Sequence, residues 1–348
     1  MPTPASHQRI LIVRLSAIGD VLHGLPVLCA LRAARPEAYI AWVVEGAAAQ
    51  LLRGHRALDE LISIPRKWLK SPRTVLALRG RLRASKFDVA IDMQGLTKSA
   101  VAARLSGAPR RIGFDGTDGR ELSRQLNSEL IRPTATHVID RNLELLRPLG
   151  IDQPAVRFDL HDEQADIESV RRMIAESGVA EPFAVINPGA GWPSKLWPPE
   201  RFAGVARHLG GRHALKSLVV WAGREERAWA ERIVAASRGF AILAPPTSLR
   251  ELAALTRRAS LFVGSDTGPL HLAVAVGTPS IGLFGPVPAE RNGPYGPDHL
   301  AVQKMCLSGG SRERRTAGPE SMEAIAIEDV CCACNTVLGR QRGERRIA

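Results

Sequence analysis

The sequence predicts an α/β protein made of two doubly wound, Rossmann-like domains. Its length of 348 residues suits two domains, since domains run about 100–200 residues. Short apolar runs alternate with helix-period segments from end to end, the pattern of βαβ units around a parallel sheet. Hydrophobic residues at 45% and charged residues at 24% exclude wholesale disorder, and a chain this long needs no disulfide staples.

In the first half Ile10–Leu15 reads as a buried strand. Gly19–Ala34 follows as one helix, with Val21, Leu22, Leu25, Leu28, Cys29 and Leu31 near helical spacing. Tyr39–Val44 and Phe87–Asp92 read as strands, Thr97–Leu105 as a helix, Arg111–Phe114 as a strand and His137–Leu149 as a closing helix. The polar stretch Phe114–Pro133 is left unassigned. An interdomain link is expected at about 150–165, with a helix at Glu163–Ser177. In the second half the strands are Phe183–Asn187, Leu218–Ala222, Ala241–Ala244, Leu261–Gly264 and Ser280–Phe284. Helices at Pro199–Leu209, Glu225–Ser237, Ser248–Arg257 and Pro269–Val276 separate them, Met322–Leu338 is an amphipathic helix, and Arg340–Arg346 reads as a frayed basic tail. Two such domains facing each other would form a cleft at the carboxyl ends of their strands, where open α/β sheets bind ligands.

Lys+Arg 47 against Asp+Glu 35 leaves a net charge of +12, which attracts phosphates, nucleic acid or an acidic membrane face. Aromatics at 5% are too sparse for base-stacking platforms and no nucleic-acid signature is present, so a nucleic-acid partner is not expected. Cations concentrate in the first half: Arg66, Lys67, Lys70, Arg73, Arg79, Arg81, Arg83 and Lys86, then Lys98, Arg104, Arg110 and Arg111. They are either a solvated helix face or a docking surface for an anionic lipid headgroup or membrane. The five cysteines, four of them near the C-terminus, do not resemble an oxidised framework. Cys331, Cys332 and Cys334 lack a second pair or histidines at zinc spacing and read as small core residues, so no metal and no cofactor is expected. MPTPASHQRI has no apolar signal core, and prolines and glycines break the uncharged run Thr267–Ala289 into pieces too short to span a membrane. The expectation is a cytoplasmic protein.

Four turns offer chemistry. Ser16-Ala17-Ile18-Gly19-Asp20 follows the first strand but lacks the dinucleotide glycine spacing, which argues against a nicotinamide enzyme. Its Asp20 is either a first-turn carboxylate favourable to the helix dipole or a general base facing the other domain. Ser265-Asp266-Thr267-Gly268 ends a strand and opens a helix at Pro269, with His271 one turn in. Free amides there suit a diphosphate, while the alternative is a capped helix with a partly buried histidine. Asn187-Pro188-Gly189-Ala190-Gly191 leads to Lys195, a mobile cation for phosphate or a solvated lysine. Trp221-Ala222-Gly223-Arg224-Glu225-Glu226 sets a glutamate where it accepts ribose hydroxyls or complements a dipole.

Together, ILIVRLSAIGDVLHGLPVL, WVVEGAAAQLL, DVAIDMQGLTKSA, NPGAGWPSKLWPPERF and SLFVGSDTGPLHLAVAVGTPSIGLFGP resemble the bacterial ADP-heptose:lipopolysaccharide heptosyltransferases, with heptosyltransferase I the nearest pattern. The resemblance covers nearly the whole chain. It implies a GT-B architecture: an acceptor-binding domain at 1–155, a nucleotide-sugar domain at 156–320, and a segment at 321–348 whose helix packs back toward the first domain. It further implies an inverting, metal-independent transfer of heptose from ADP-heptose to a Kdo residue of the lipopolysaccharide inner core. Asp20 matches the family's catalytic base, Lys195 its diphosphate contact, and Glu226 (or Glu225) its ribose contact. Asp266, Thr267, Gly268 and His271 match its donor loop, and Thr247 and Ser248 fall near the adenosine segment. Lys98, Arg120 and Gly19 fall on the acceptor side. The implied partners are an ADP-sugar and a Kdo-lipid A type acceptor, and the basic first half adds the anionic inner face of the inner membrane as a docking surface in the alternative to a solvated helix face. Two departures stand out: NPGAG replaces a threonine-bearing loop, and Cys306–Pro319 has no clear counterpart. Heptosyltransferase II, or a transferase acting on another envelope glycan, is the alternative.

Overall fold

The structure, a computed structural model, describes residues 8–347, with side chains through Arg340. Most of the N-terminal stretch MPTPASHQRI, where no signal core is expected, lies outside them. Two compact units divide the chain, Met1–Leu160 and His161–Ala348.

The first unit holds a six-stranded sheet of β1 (Arg9–Val13), β2 (Tyr39–Glu45), β3 (Glu60–Ile64), β4 (Val89–Asp92), β5 (Arg110–Phe114) and β6 (Glu129–Ile131). The second holds β7 (Phe183–Asn187), β8 (Lys216–Val219), β9 (Ala241–Leu243), β10 (Leu261–Ser265), β11 (Ser280–Phe284) and β12 (Leu300–Gln303). Every pairing is parallel, in the orders β3-β2-β1-β4-β5-β6 and β12-β11-β10-β7-β8-β9. Counted from its own first strand, each sheet has the same doubly wound order, with a switch point at β1/β4 and at β7/β10. Helices cover both faces of such a sheet, so its central strands are apolar without alternation, and β7, β10 and β11 are buried throughout.

Three strands escape the sequence pattern: β3, β6 and β12, all at sheet edges. Their residues are only partly covered, so the apolar run that marks a central strand is missing. The helix expected over Gly19–Ala34 is two pieces, Ile18–Leu22 and Leu25–Ala34. Pro26 cannot continue a helix from the preceding turn, and Gly24 sits where a Cβ would lie 2.8 Å from the Met93 methyl. The break leaves Asp20 on a single helical turn at the end of β1. The uncharged run Thr267–Ala289 resolves into the helix Gly268–Ala275 and β11, and among the described residues no helix is long and apolar enough to cross a membrane.

The second unit's core closes over the helix Pro199–His213 and the last helix, Ile327–Ile347. Phe202 is fully buried and meets the Trp197 ring edge-on at 4.8 Å, while the Trp197 indole N–H donates to the Ile325 carbonyl at 3.0 Å. Val330, Ala333, Cys334, Val337 and Leu338 of the last helix join that core. Cys334 is therefore the core residue expected, but Cys331 is half-buried and Cys332 exposed, because one turn of helix cannot bury three such close positions. Burial pushes the Cys331 thiol up to about 11 and that of Cys29 up to about 12. Arg340–Arg346 continues the helix rather than leaving it, and of that run only the Arg340 side chain is described, donating to the Pro297 carbonyl at 2.9 Å.

Phe202→Ala removes a ring from a closed core and is expected to lower unfolding free energy by about 3–5 kcal/mol. Denaturant unfolding followed by tryptophan fluorescence reads the shift, and a loss below about 1 kcal/mol would contradict the packing described.

Candidate active site

Parallel strands deliver their carboxyl ends to one edge of a sheet. In the second sheet the switch strands β7 and β10 pair Asn187 with Gly264 at that edge. The Asn187 amide bridges the two loops that emerge, donating to the Gly189 carbonyl and to the Thr267 hydroxyl, both at 3.3 Å. Thr267 in turn donates to the Ser265 carbonyl at 3.2 Å, so its hydroxyl is committed to the loop and does not cap the helix Gly268–Ala275. With Pro269 in the first turn and no side-chain cap, that helix start is suited to an anion.

Lys195 closes the short 3-10 turn Pro193–Lys195. Its Nζ lies 4.4 Å from the Trp192 ring centroid and 2.5 Å from Asp266 Oδ2. His271 donates from Nε2 to Asp266 Oδ1 at 3.1 Å, the only sense an ionised carboxylate permits. Asp266 is buried, and burial alone would raise its carboxyl pKa. The His271 hydrogen bond and the Lys195 charge outweigh burial and hold it below the ordinary value. A cation is thus fixed beside an uncapped helix start, an arrangement that can receive a doubly charged phosphate chain.

Glu226 lies behind the β7 loop. Its Oε2 accepts from the Ala222 amide at 2.8 Å, and a Cβ on Gly189 would fall 2.4 Å from its carboxyl carbon. Only glycine lets the backbone lie so close. Burial raises the Glu226 carboxyl, against the Ala222 hydrogen bond, and Glu225 beside it adds to the rise. Thr247 and Ser248 follow the edge strand β9. Ser248 accepts from the Glu251 amide at 3.2 Å and donates its own amide to Glu251 Oε2 at 2.8 Å. Its hydroxyl therefore caps the helix Leu249–Arg258.

The first sheet's rim gathers the remaining residues. Asp20 Oδ2 accepts from the Ala17 amide at 3.0 Å, and Oδ1 meets Arg14 Nη2 at 2.5 Å. Arg14 is buried, donates to the Met93 carbonyl, and has its own carbonyl bonded by the Trp42 indole at 3.1 Å. Lys98 Nζ reaches Ser16 Oγ and Glu45 Oε2, both at 3.1 Å. Asp20 and Lys98 thus flank the Ser16-Ala17 dipeptide, with Gly19 half-buried in the same turn. Arg120 is exposed, and its amide donates to the Gly95 carbonyl at 2.9 Å. A Cβ on Gly95 would lie 2.1 Å from the Asp118 carbonyl, so the loop carrying Arg120 rests directly on the turn after β4. Among the described residues no group of three or more His, Cys, Asp or Glu is placed to hold a metal ion.

Several partners went unnoticed in the sequence: Arg14, Glu45 and Asp92, together with the bridging role of Asn187. Asp92 is fully buried and accepts the Gln94 and Gly95 amides at 3.0 and 3.2 Å and the Asn127 amide at 3.3 Å, and burial raises its carboxyl. Glu45, Asp92 and Asn187 each close an apolar strand run, the signal that could have found them, whereas Arg14 sits within the run Ile10–Leu15.

A profile of "Glycosyltransferase family 9 (heptosyltransferase)" matches residues 75–316. The chain is 31% identical over 306 residues to lipopolysaccharide heptosyltransferase 1 of Salmonella typhimurium, spanning 84% of this chain and 93% of that one. It is 30% identical over 309 residues to lipopolysaccharide heptosyltransferase 1 of Pseudomonas aeruginosa, spanning 86% and 85%. The fold is similar to a family 9 glycosyl transferase from Veillonella parvula, at a TM-score of 0.82 and 23% identity over 97% of this chain and 99% of that one. It is also similar to an Escherichia coli heptosyltransferase solved with ADP-2-deoxy-2-fluoro heptose, at a TM-score of 0.72 and 26% identity over 93% and 98%.

Because the folded Asp266 carboxyl titrates below its ordinary value of 3.8, its contribution is complete above that pH and lost as pH falls through the lower folded value. Asp266→Asn, which breaks a buried pair, is expected to cost about 3–5 kcal/mol at neutral pH. The deficit relative to the parent should shrink below pH 3.8, and a deficit constant into the acid limb would refute the pairing.

Proposed function

The chain belongs to glycosyltransferase family 9, the heptosyltransferases, and from that membership we propose that it moves heptose from ADP-heptose to a Kdo residue of the lipopolysaccharide inner core, with inversion at the anomeric carbon. One observation carries this reading: the Lys195–Asp266–His271 constellation beside an uncapped helix start at the second sheet's switch point. A diphosphate bound there would share Lys195 with Asp266, while His271 keeps the carboxylate in place. Glu226 or Glu225, with Thr247 and Ser248, would line the nucleoside side.

In the reaction Asp20 takes the proton of the acceptor hydroxyl as its oxygen attacks the anomeric carbon. The bond to the diphosphate oxygen breaks on the opposite face, and ADP leaves. Negative charge grows on that diphosphate, and Lys195 with the amides at Thr267-Gly268 stabilises it, a role a divalent cation fills in other transferases. Arg14 and the Ala17 amide hold both Asp20 oxygens, which supports its use as an oriented base. Lys98, Arg120 and Gly19 would face the acceptor, whose acidic Kdo suits two cations.

The lipid part of such an acceptor fits an anionic membrane face. Between Glu60 and Asp88 the chain has no carboxylate, and Lys67, Lys70, Arg73 and Arg79 are exposed there alongside Leu69 (43%) and Leu76 (63%). Arg81 differs, being answered by Glu60 at 2.8 Å.

Asp20→Ala should lower turnover of ADP-heptose with Kdo-lipid A by about 10²–10⁴-fold or more and leave ADP affinity unchanged by calorimetry. Wild-type turnover in that variant would remove the base assignment, and a preference for UDP or GDP over ADP would remove the donor. Co-sedimentation with phosphatidylglycerol vesicles should exceed that with phosphatidylcholine, fall with salt, and be lost in Arg73→Glu/Arg79→Glu. Equal binding to both vesicle types would sink the membrane reading.

A further inference from the structure

The segment Cys306–Pro319 lies against the turn that carries Lys195. Its helix Ser311–Thr316 rests on Pro193–Lys195. Ser194, the middle residue of that turn, is 1% exposed, and its hydroxyl donates to the Arg314 carbonyl at 2.8 Å, with the Arg315 carbonyl at 3.4 Å. The last carbonyls of a short helix have no partner within it, so the Ser194 hydroxyl and this helix end complete each other. Further bonds fasten the segment: Arg314 Nε donates to the Leu307 carbonyl at 3.1 Å, and the Leu307 amide reaches the Pro286 carbonyl at 3.4 Å, beyond β11. On the far side, Trp197 and Arg201 bond the Ile325 carbonyl.

We propose that Cys306–Pro319 is a strap that clasps the Lys195 turn through Ser194, making Ser194 a positioning residue for recognition of the donor's diphosphate. The inference rests on the donor site proposed above and adds to it. The 3-10 turn is only three residues long and lies between the extended Trp192 and Leu196, so its own hydrogen bonds do little to fix it. Without the strap the turn would carry Lys195 away from Asp266 and the helix start as it moves. A cation held in advance binds a phosphate chain better than one that must be ordered on binding. The adenosine part of a donor does not depend on Lys195, so the strap acts on the diphosphate alone.

Calorimetry with ADP, and ligand-observed NMR with adenosine, separate the two parts. Ser194→Ala should weaken ADP by about tenfold, the scale of one hydrogen bond, and leave adenosine unchanged. In a Lys195→Ala background the same change should have no further effect on ADP. Replacing residues 308–317 by a short Gly-Ser linker keeps Ser194 but removes its acceptors, and should reproduce the ADP-selective loss. That variant decides the matter if Ser194→Ala does not fold. ADP affinity within twofold of the parent in the folded variants, or equal weakening of ADP and adenosine, overturns the strap. A parent protein that fails to bind ADP overturns the donor site itself, and the strap with it.

Discussion

A carboxylate buried at the end of a central parallel strand must be answered by positive charge, and the second unit is arranged to answer Asp266. An unpaired ionised carboxyl in that position would cost several kcal/mol, far more than a surface ion pair returns. Lys195 arrives from the loop after β7 and His271 from the first turn after β10, so the two switch strands supply the response from both sides. Asn187 then ties the two loops to each other, and the helix start is left open because Thr267 is engaged with its neighbours. An anion site follows from satisfying one buried acid.

The first unit repeats the device with the signs partly reversed. There the buried member is the cation, Arg14, and the carboxylate it holds, Asp20, is partly exposed. An arginine's planar fork can orient one carboxylate oxygen while donating elsewhere, here to the Met93 carbonyl. The exposed carboxylate keeps a fixed direction without losing access to solvent, a geometry suited to accepting a proton.

Much of this was legible in the sequence because central strands and switch-point loops announce themselves. FAVIN, LFVG and SIGLF are apolar on both faces, and the loops after them carry glycine, proline and a charged residue. The edge strands β3, β6 and β12 were not legible, since a half-covered strand needs no continuous apolar run. The break in the helix at Gly24 was hidden because periodicity alone ignores a glycine pressed on Met93 and Trp42. Asp20, Lys195, Glu226 and the Asp266–His271 loop were read from local motifs and the other candidates from the family resemblance, while most of their partners came from distant parts of the chain. Arg14 to Asp20 spans one turn, whereas Lys98 to Glu45 and Asn187 to Thr267 join distant parts of the chain, and no local pattern records such pairings. Ser248 in addition caps its own helix through its hydroxyl.

Each sheet is completed by one uninterrupted stretch of chain, the first from Arg9 to Ile131 and the second from Phe183 to Gln303. Every proposed ligand contact lies in the connections that leave those strands. Selection can therefore rewrite appetite without renegotiating architecture: lengthening one connection or exchanging one tip residue alters what is accepted, while the strand ladder beneath inherits unchanged. The segment Cys306–Pro319 after the final strand, bound through loops, is one place where such change disturbs the ladder least.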